Sequence, residues 1–263
     1  MISERTAQPT LSGTSALLFT ASAALTVAWC RSMAAMGGMP MPGGWTMSMA
    51  WMRMPGQSWA GATLSFLGMW LVMMVAMMLP SVAPTLARYR ASLATTNDAL
   101  RSRLTVIAGA GYFFVWVLFG LAVFPIGVAA AAVEMDHPAL ARVVPLAAAL
   151  AILCAGALQF SPWKAHALAC CREAPRSACA LPAHAGAAWR QGLRFGLHCC
   201  LSCTNLTVIL LVLGVMDLRA MALVTAAITA ERLASPGESV ARAIGAVVIV
   251  AGFVLIARAA AAV

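Results

Sequence analysis

Apolar residues run in long uninterrupted blocks separated by short polar connections, with no sustained apolar–polar alternation of the kind that marks half-buried strands. A helix needs roughly 20 apolar residues to cross a hydrocarbon core of about 30 Å. Segments at about 11–30, 62–84, 104–131, 139–160, 195–216 and 240–262 meet that length. A further apolar stretch, 218–230, would rise only about 20 Å as a helix. It reads as interfacial or re-entrant, and if it spans, the C-terminus changes side. The expected fold is all-α: a polytopic transmembrane helix bundle of about six spans plus that short interfacial or re-entrant helix. No internal repeat or long linker divides the chain. One integral membrane domain over 1–263 is therefore expected, with a methionine-rich outer loop at 31–61 and a Cys/His-containing inner loop at 161–194. Pro80, Pro84, Pro125 and Pro145 fall within or beside the spans, where proline adjusts packing or bends a helix.

Composition agrees with this pattern. The chain is 62% hydrophobic and 10% charged, against about a quarter charged in soluble domains. The net charge of +9 does not point to nucleic acid, because the 16 arginines and Lys164 sit in short connections rather than in one basic domain. They act as topology signals. With the N-terminus inside, 11 of the 17 basic residues face the cytoplasm: Arg5, Arg88, Arg90, Arg101, Arg103, Lys164, Arg172, Arg176, Arg190, Arg194 and Arg258. Arg219, Arg232 and Arg242 count against it. The expected location is a bacterial inner membrane, with a cytoplasmic N-terminus and an outward methionine loop. Residues 1–34 loosely imitate a secretory signal, but the apolar run is long for a cleaved one and reads as a retained helix.

Eight of the 17 methionines lie between Met33 and Met54. Met33 and Met36 form an MxxM, and Met39/Met41, Met47/Met49 and Met52/Met54 form three MxM pairs. Gly and Pro punctuate the stretch, so it offers no helix face to pack, and the thioether remains as the chemical reason for the density. Thioethers are neutral soft ligands for Cu(I) and need no reducing compartment. In the following span, Met69, Met73 and Met77 recur at i, i+4, i+8 along one stripe, with Met74 and Met78 beside it. Such a stripe packs in most proteins; here it leads inward from a thioether-rich loop.

Two cysteine groups follow. The inner loop holds His166, Cys170, Cys171, Cys179 and His184; a short helix would put His166 and Cys170 on one face. Thiolates and imidazoles suit Cu(I) or Zn(II), although the spacing matches no standard zinc module. At the start of the fifth span stand His198, Cys199, Cys200 and Cys203, with Asn205 and Thr207 extending the polar patch. A histidine and three thiols inside an apolar helix need a partner, a ligand or each other. Other ionisable residues are not expected within the spans, which leaves no carboxylate for a proton relay. Without a phosphate-binding glycine loop, ATP-driven transport is not expected either. Glu134, Asp136 and His137 fall in the second outer loop, and Asp217 follows the fifth span.

At these residues the chain resembles a bacterial family of integral membrane proteins held to bind metal and otherwise known as a domain of unknown function. The likeness covers most of 66–260. It is carried by Met69-Trp70 through Met77-Met78-Leu79-Pro80, Ser161-Pro162-Trp163-Lys164 leading to Cys171-Arg172, the Gly192 to Cys203 block, Gly214 to Leu218 with Met221, and Glu231. Two positions depart from the family pattern. Ala167 stands where a cysteine is usual, with His166 and Cys170 close enough to substitute, and Cys199 stands where glycine is common. The resemblance implies metal binding.

The leading expectation is a copper-handling membrane protein without catalytic activity. Met39, Met41, Met47, Met49, Met52 and Met54 would gather Cu(I), Met69, Met73 and Met77 would pass it on, and His198, Cys199, Cys200 and Cys203 would receive it, with His166, Cys170 and Cys171 nearby. Its partners would be the bilayer, the metal, and a periplasmic copper carrier or cuproenzyme assembly factor. Zn(II) at the thiols stays open. The alternatives are a membrane thiol oxidoreductase using Cys199, Cys200, Cys203, Cys170 and Cys171, and a scaffold subunit in which the sulfurs only pack.

Overall fold

Each long apolar run forms a helix, and capping residues at the polar connections start several of them. The computed structural model describes residues 3–93, 97–173, 183–234 and 237–261. Among them lie α1 (Ser3–Ala35), α2 (Trp59–Ser92), α3 (Asp98–Asp136), α4 (Pro138–Leu158), α5 (Pro162–Glu173), α6 (Ala185–Leu213), α7 (Leu218–Leu233) and α8 (Gly237–Ala261). Six of these are long and apolar enough to cross a membrane: 13–35, 59–92, 98–136, 138–158, 185–213 and 237–260. The chain is a multi-pass helical membrane protein. Ser58, Asn97 and Asp217 cap α2, α3 and α7 by accepting from Gly61 N, Leu100 N, and Arg219 N with Ala220 N. Pro138 occupies the first turn of α4, where its missing N–H costs nothing.

The bundle packs by close backbone approach at glycines. A side chain at Gly192 would run into the Ala108 carbonyl oxygen, one at Gly196 would lie 2.7 Å from the Tyr112 carbonyl oxygen, and one at Gly111 2.8 Å from that of Trp189. These three positions let α3 and α6 interlock, as small residues do between membrane helices. Gly156, Gly245 and Gly252 do the same for α4 and α8.

The methionine loop contains a small hairpin, β1 (Met39–Met41) and β2 (Trp45–Met47), paired antiparallel with Met39 opposite Met47. Gly43 and Gly44 turn it at φ 102° and 76°, a region that glycine adopts without strain. Trp45 Nε1 donates to the Ala141 carbonyl at 2.9 Å, and Met41 and Met47 are buried against Ala131 and Ala141. The loop is thus clamped onto the ends of α3 and α4.

Helix α7 does not lie on the membrane surface. Ala220, Met221, Val224, Ile228 and Glu231 are buried at three- and four-residue spacing, while Leu223 faces outward. Met216, just before it, touches Cys30 near the methionine loop, whereas Glu231 and Arg232 at its far end meet Lys164, Ser81 and Cys199. It therefore runs about 24 Å back through the bundle depth, the course for which the C-terminus changes side. Helix α8 then returns antiparallel to α4, with Gly245 against Gln159 and Gly252 against Leu153. Its C-terminal end lies at the methionine end of the bundle. The expected placement of Arg258 beside the inner loop is corrected accordingly: Arg258 and Arg242 exchange ends, and Arg232, counted against the topology, lies at the Lys164 end with its guanidinium on Ser81 and Cys199.

Candidate metal centre

Cys199 and Cys203 stand four apart on α6, and the helix brings their sulfurs to 3.8 Å, with both side chains buried. Three other elements meet them. From α3, the Tyr112 hydroxyl donates to Cys199 Sγ at 3.0 Å. From α7, Arg232 Nη1 donates to the same sulfur at 3.1 Å and to Ser81 Oγ of α2 at 2.9 Å. Ser202 Oγ lies 3.6 Å from Cys203 Sγ. The Cys199 lone pairs are thus held by two donors that a metal would have to displace or share.

Beside the thiols lies a second polar group. Lys164 of α5 sends its Nζ inward to Glu231 Oε2 at 2.7 Å, to the Ser202 carbonyl at 2.5 Å and to Asn205 Oδ1 at 3.4 Å. Gln159 Nε2 donates to Glu231 Oε1 at 2.6 Å. Lys164 and Glu231 are each 1% exposed. This corrects two expectations: Lys164 is no solvated topology signal, and a carboxylate does lie inside the bundle. Both charges are tolerated because they are paired and hydrogen-bonded.

The other expected ligands divide. Cys200 and His198 are half-buried and take no part in the hydrogen bonds that tie Cys199 to Cys203. Their positions on α6 turn them about 100° to either side of Cys199. His166 Nε2 and Cys170 Sγ come within 3.5 Å on α5, whose Lys164, Ala167 and Leu168 face inward. The side chain of Cys171, and Cys179 altogether, lie outside the described residues. Among the described residues no three His, Cys, Asp or Glu side chains converge.

The methionines divide too. Met39, Met41 and Met47 belong to the hairpin and its small apolar core. Met49, Met52 and Met54 instead line a cavity of about 400 Å³, together with Met33 of α1 and Met69 of α2. Below it Met73 and Met77 are each 2% exposed, in one core with Cys30, Cys199 and Cys203. The stripe thus starts at the cavity with Met69 and continues into the buried core that also holds the thiol pair.

Tyr112, Ser81, Gln159, Glu231 and Arg232 escaped sequence reasoning as parts of a site. Two traces of them existed: Glu231 is among the residues that carry the family resemblance, and Tyr112, one of only two tyrosines, falls mid-span. A family model described as a copper chaperone, PpoB2, matches residues 67–255, most of the chain. The chain belongs to the PpoB2 copper-chaperone family. The match begins at the end of the cavity wall and takes in the methionine stripe, the thiol pair, Lys164 and Glu231; the methionine loop and α1 precede it. A copper-related function follows from the family. No curated protein and no solved structure matches the chain.

Proposed function

We propose that the protein gathers Cu(I) at its methionine end, passes it along Met69, Met73 and Met77, and holds it at the Cys199–Cys203 pair for transfer to an acceptor. The 3.8 Å sulfur separation carries this reading. With metal–thiolate bonds of about 2.3 Å, as for zinc, two sulfurs so placed subtend about 111° at a bridging ion, which leaves room for a third soft donor. Zinc sites draw three or four ligands from Cys, His and carboxylates. Only two such donors meet here among the described residues, with thioethers for company, and thioethers favour Cu(I).

Ligand strength rises from neutral thioether to thiolate, which gives transfer a direction without nucleotide hydrolysis. His166 and Cys170 stand on a helix pinned beside the pair through the Lys164–Ser202 contact, and serve the onward step. The membrane is a bacterial inner membrane with the methionine end outward, and the acceptor is a copper carrier or an apo-cuproenzyme. Helical spacing weighs against thiol oxidoreductase chemistry. Positions i and i+4 hold their Cβ atoms about 5–6 Å apart, beyond the roughly 3.5–4.5 Å of a disulfide, so a Cys199–Cys203 disulfide would distort α6. Cys200, three residues before Cys203 as in redox CxxC pairs, is turned aside and half-buried.

Competitive Cu(I) titration of the detergent-solubilised protein under reducing conditions tests this, beside a variant with Cys199→Ser and Cys203→Ser. The expected result is loss of the tightest equivalent in the variant, with Zn(II) failing to compete in the native protein. Equal Cu(I) retention by both proteins would sink the thiol site.

A further inference from the structure

Cys30 of α1 and Met216, in the connection between α6 and α7, bring their sulfurs to 3.7 Å. Neither belongs to the ladder or to the inner pair. Cys30 is buried and Met216 half-buried. Trp29 and Met33, which flank Cys30 on its helix, both line the methionine cavity, and so does Met69. Met33 is three residues on from Cys30 and Met73 four residues on from Met69, so each deeper sulfur sits one turn into the bundle from a cavity methionine. Cys30 joins the same buried core as Met73, Met77 and Cys199.

We infer that Cys30 and Met216 form a second Cu(I) site, a relay between the methionine cavity and the buried ladder. The inference rests on the copper reading above and extends it. A cavity lined only by weak thioethers exchanges copper readily with solvent. One buried thiol a helical turn from Met33, paired with a thioether, gives copper a firmer hold inside than outside. Met216 directly precedes α7, the helix that carries Arg232 to Cys199, so the relay and the inner site are joined by one element. Binding exchanges the Cys30 proton for the ion, and the proton is released to water.

Cu(I) titration of the full-length protein against a colorimetric Cu(I) chelator, using three variants, tests the relay. Cys30→Ser is expected to lose one equivalent and keep the inner one. Met216→Leu conserves volume, which usually costs little stability; it should weaken the same equivalent by on the order of tenfold or more at unchanged thermal stability. The variant with Cys199→Ser and Cys203→Ser should retain the relay equivalent. The relay is overturned, with the inner site intact, if Cys30→Ser binds as the native protein does while the double variant loses an equivalent. If no variant alters binding, relay and thiol site fall together.

Discussion

Glu231→Ala is expected to lower thermal stability steeply, by about 3–5 kcal/mol, the range for breaking a buried ion pair from one side. The cost arises from the partner left behind. Lys164 Nζ would keep only the Ser202 carbonyl and the distant Asn205 oxygen in a site it reaches with 1% exposure, and Gln159 would lose its acceptor. Lys164→Met should be comparably damaging, because it strands the carboxylate. Combining Lys164→Met with Glu231→Gln should recover most of the loss, since an apolar or neutral replacement of both charges is often tolerated. Unfolding in detergent measures all three. A single variant as stable as the native protein would mean that the pair contributes nothing to the fold.

Gly192→Ala should also destabilise, by less and through a different cause. Its Cβ would collide with the Ala108 carbonyl oxygen, which is backbone and cannot rotate away, so α3 and α6 must separate. Overpacking of this kind costs roughly 1–3 kcal/mol, sometimes more. The separation also carries Tyr112 away from Cys199, so Cu(I) affinity should fall along with stability. Gly68→Ala is the control, because nothing lies within 4 Å of that position; there alanine should gain up to about 1 kcal/mol from helix propensity. If Gly192→Ala leaves both stability and copper affinity unchanged, the close approach is not what positions Tyr112.

What could be read in advance depended on how local the cause was. Six spans were legible because their cause, a run of apolar residues long enough to cross, lies within each segment. The 218–230 stretch was legible only as a pair of alternatives. Glu231 and Arg232 shorten its apolar run, and the groups that make those charges tolerable, Lys164, Ser81 and Cys199, are contributed by α5, α2 and α6. The Cys199–Cys203 pairing followed from helical spacing, whereas Cys200 satisfied the same spacing with Cys203 and yet points aside. Among the methionines, Met73 and Met77 showed their common face through periodicity. No pattern within the loop could separate Met41 and Met47, buried on Ala131 and Ala141, from Met49, Met52 and Met54, which wall the cavity.

The return path of α7 also bears on biogenesis. A Glu or Arg inserted alone into the apolar interior costs on the order of 2.5–3.5 kcal/mol on biological insertion scales, and α7 carries both at its buried end. It is better placed to enter as a hairpin with α8, after α5 and α6 have supplied Lys164 and the thiol wall. Arg232 therefore reaches Cys199 only after α5 and α6 are in place. Until α7 enters, a nascent chain holds Cys199 and Cys203 without that guanidinium, in a chamber that still lacks one wall.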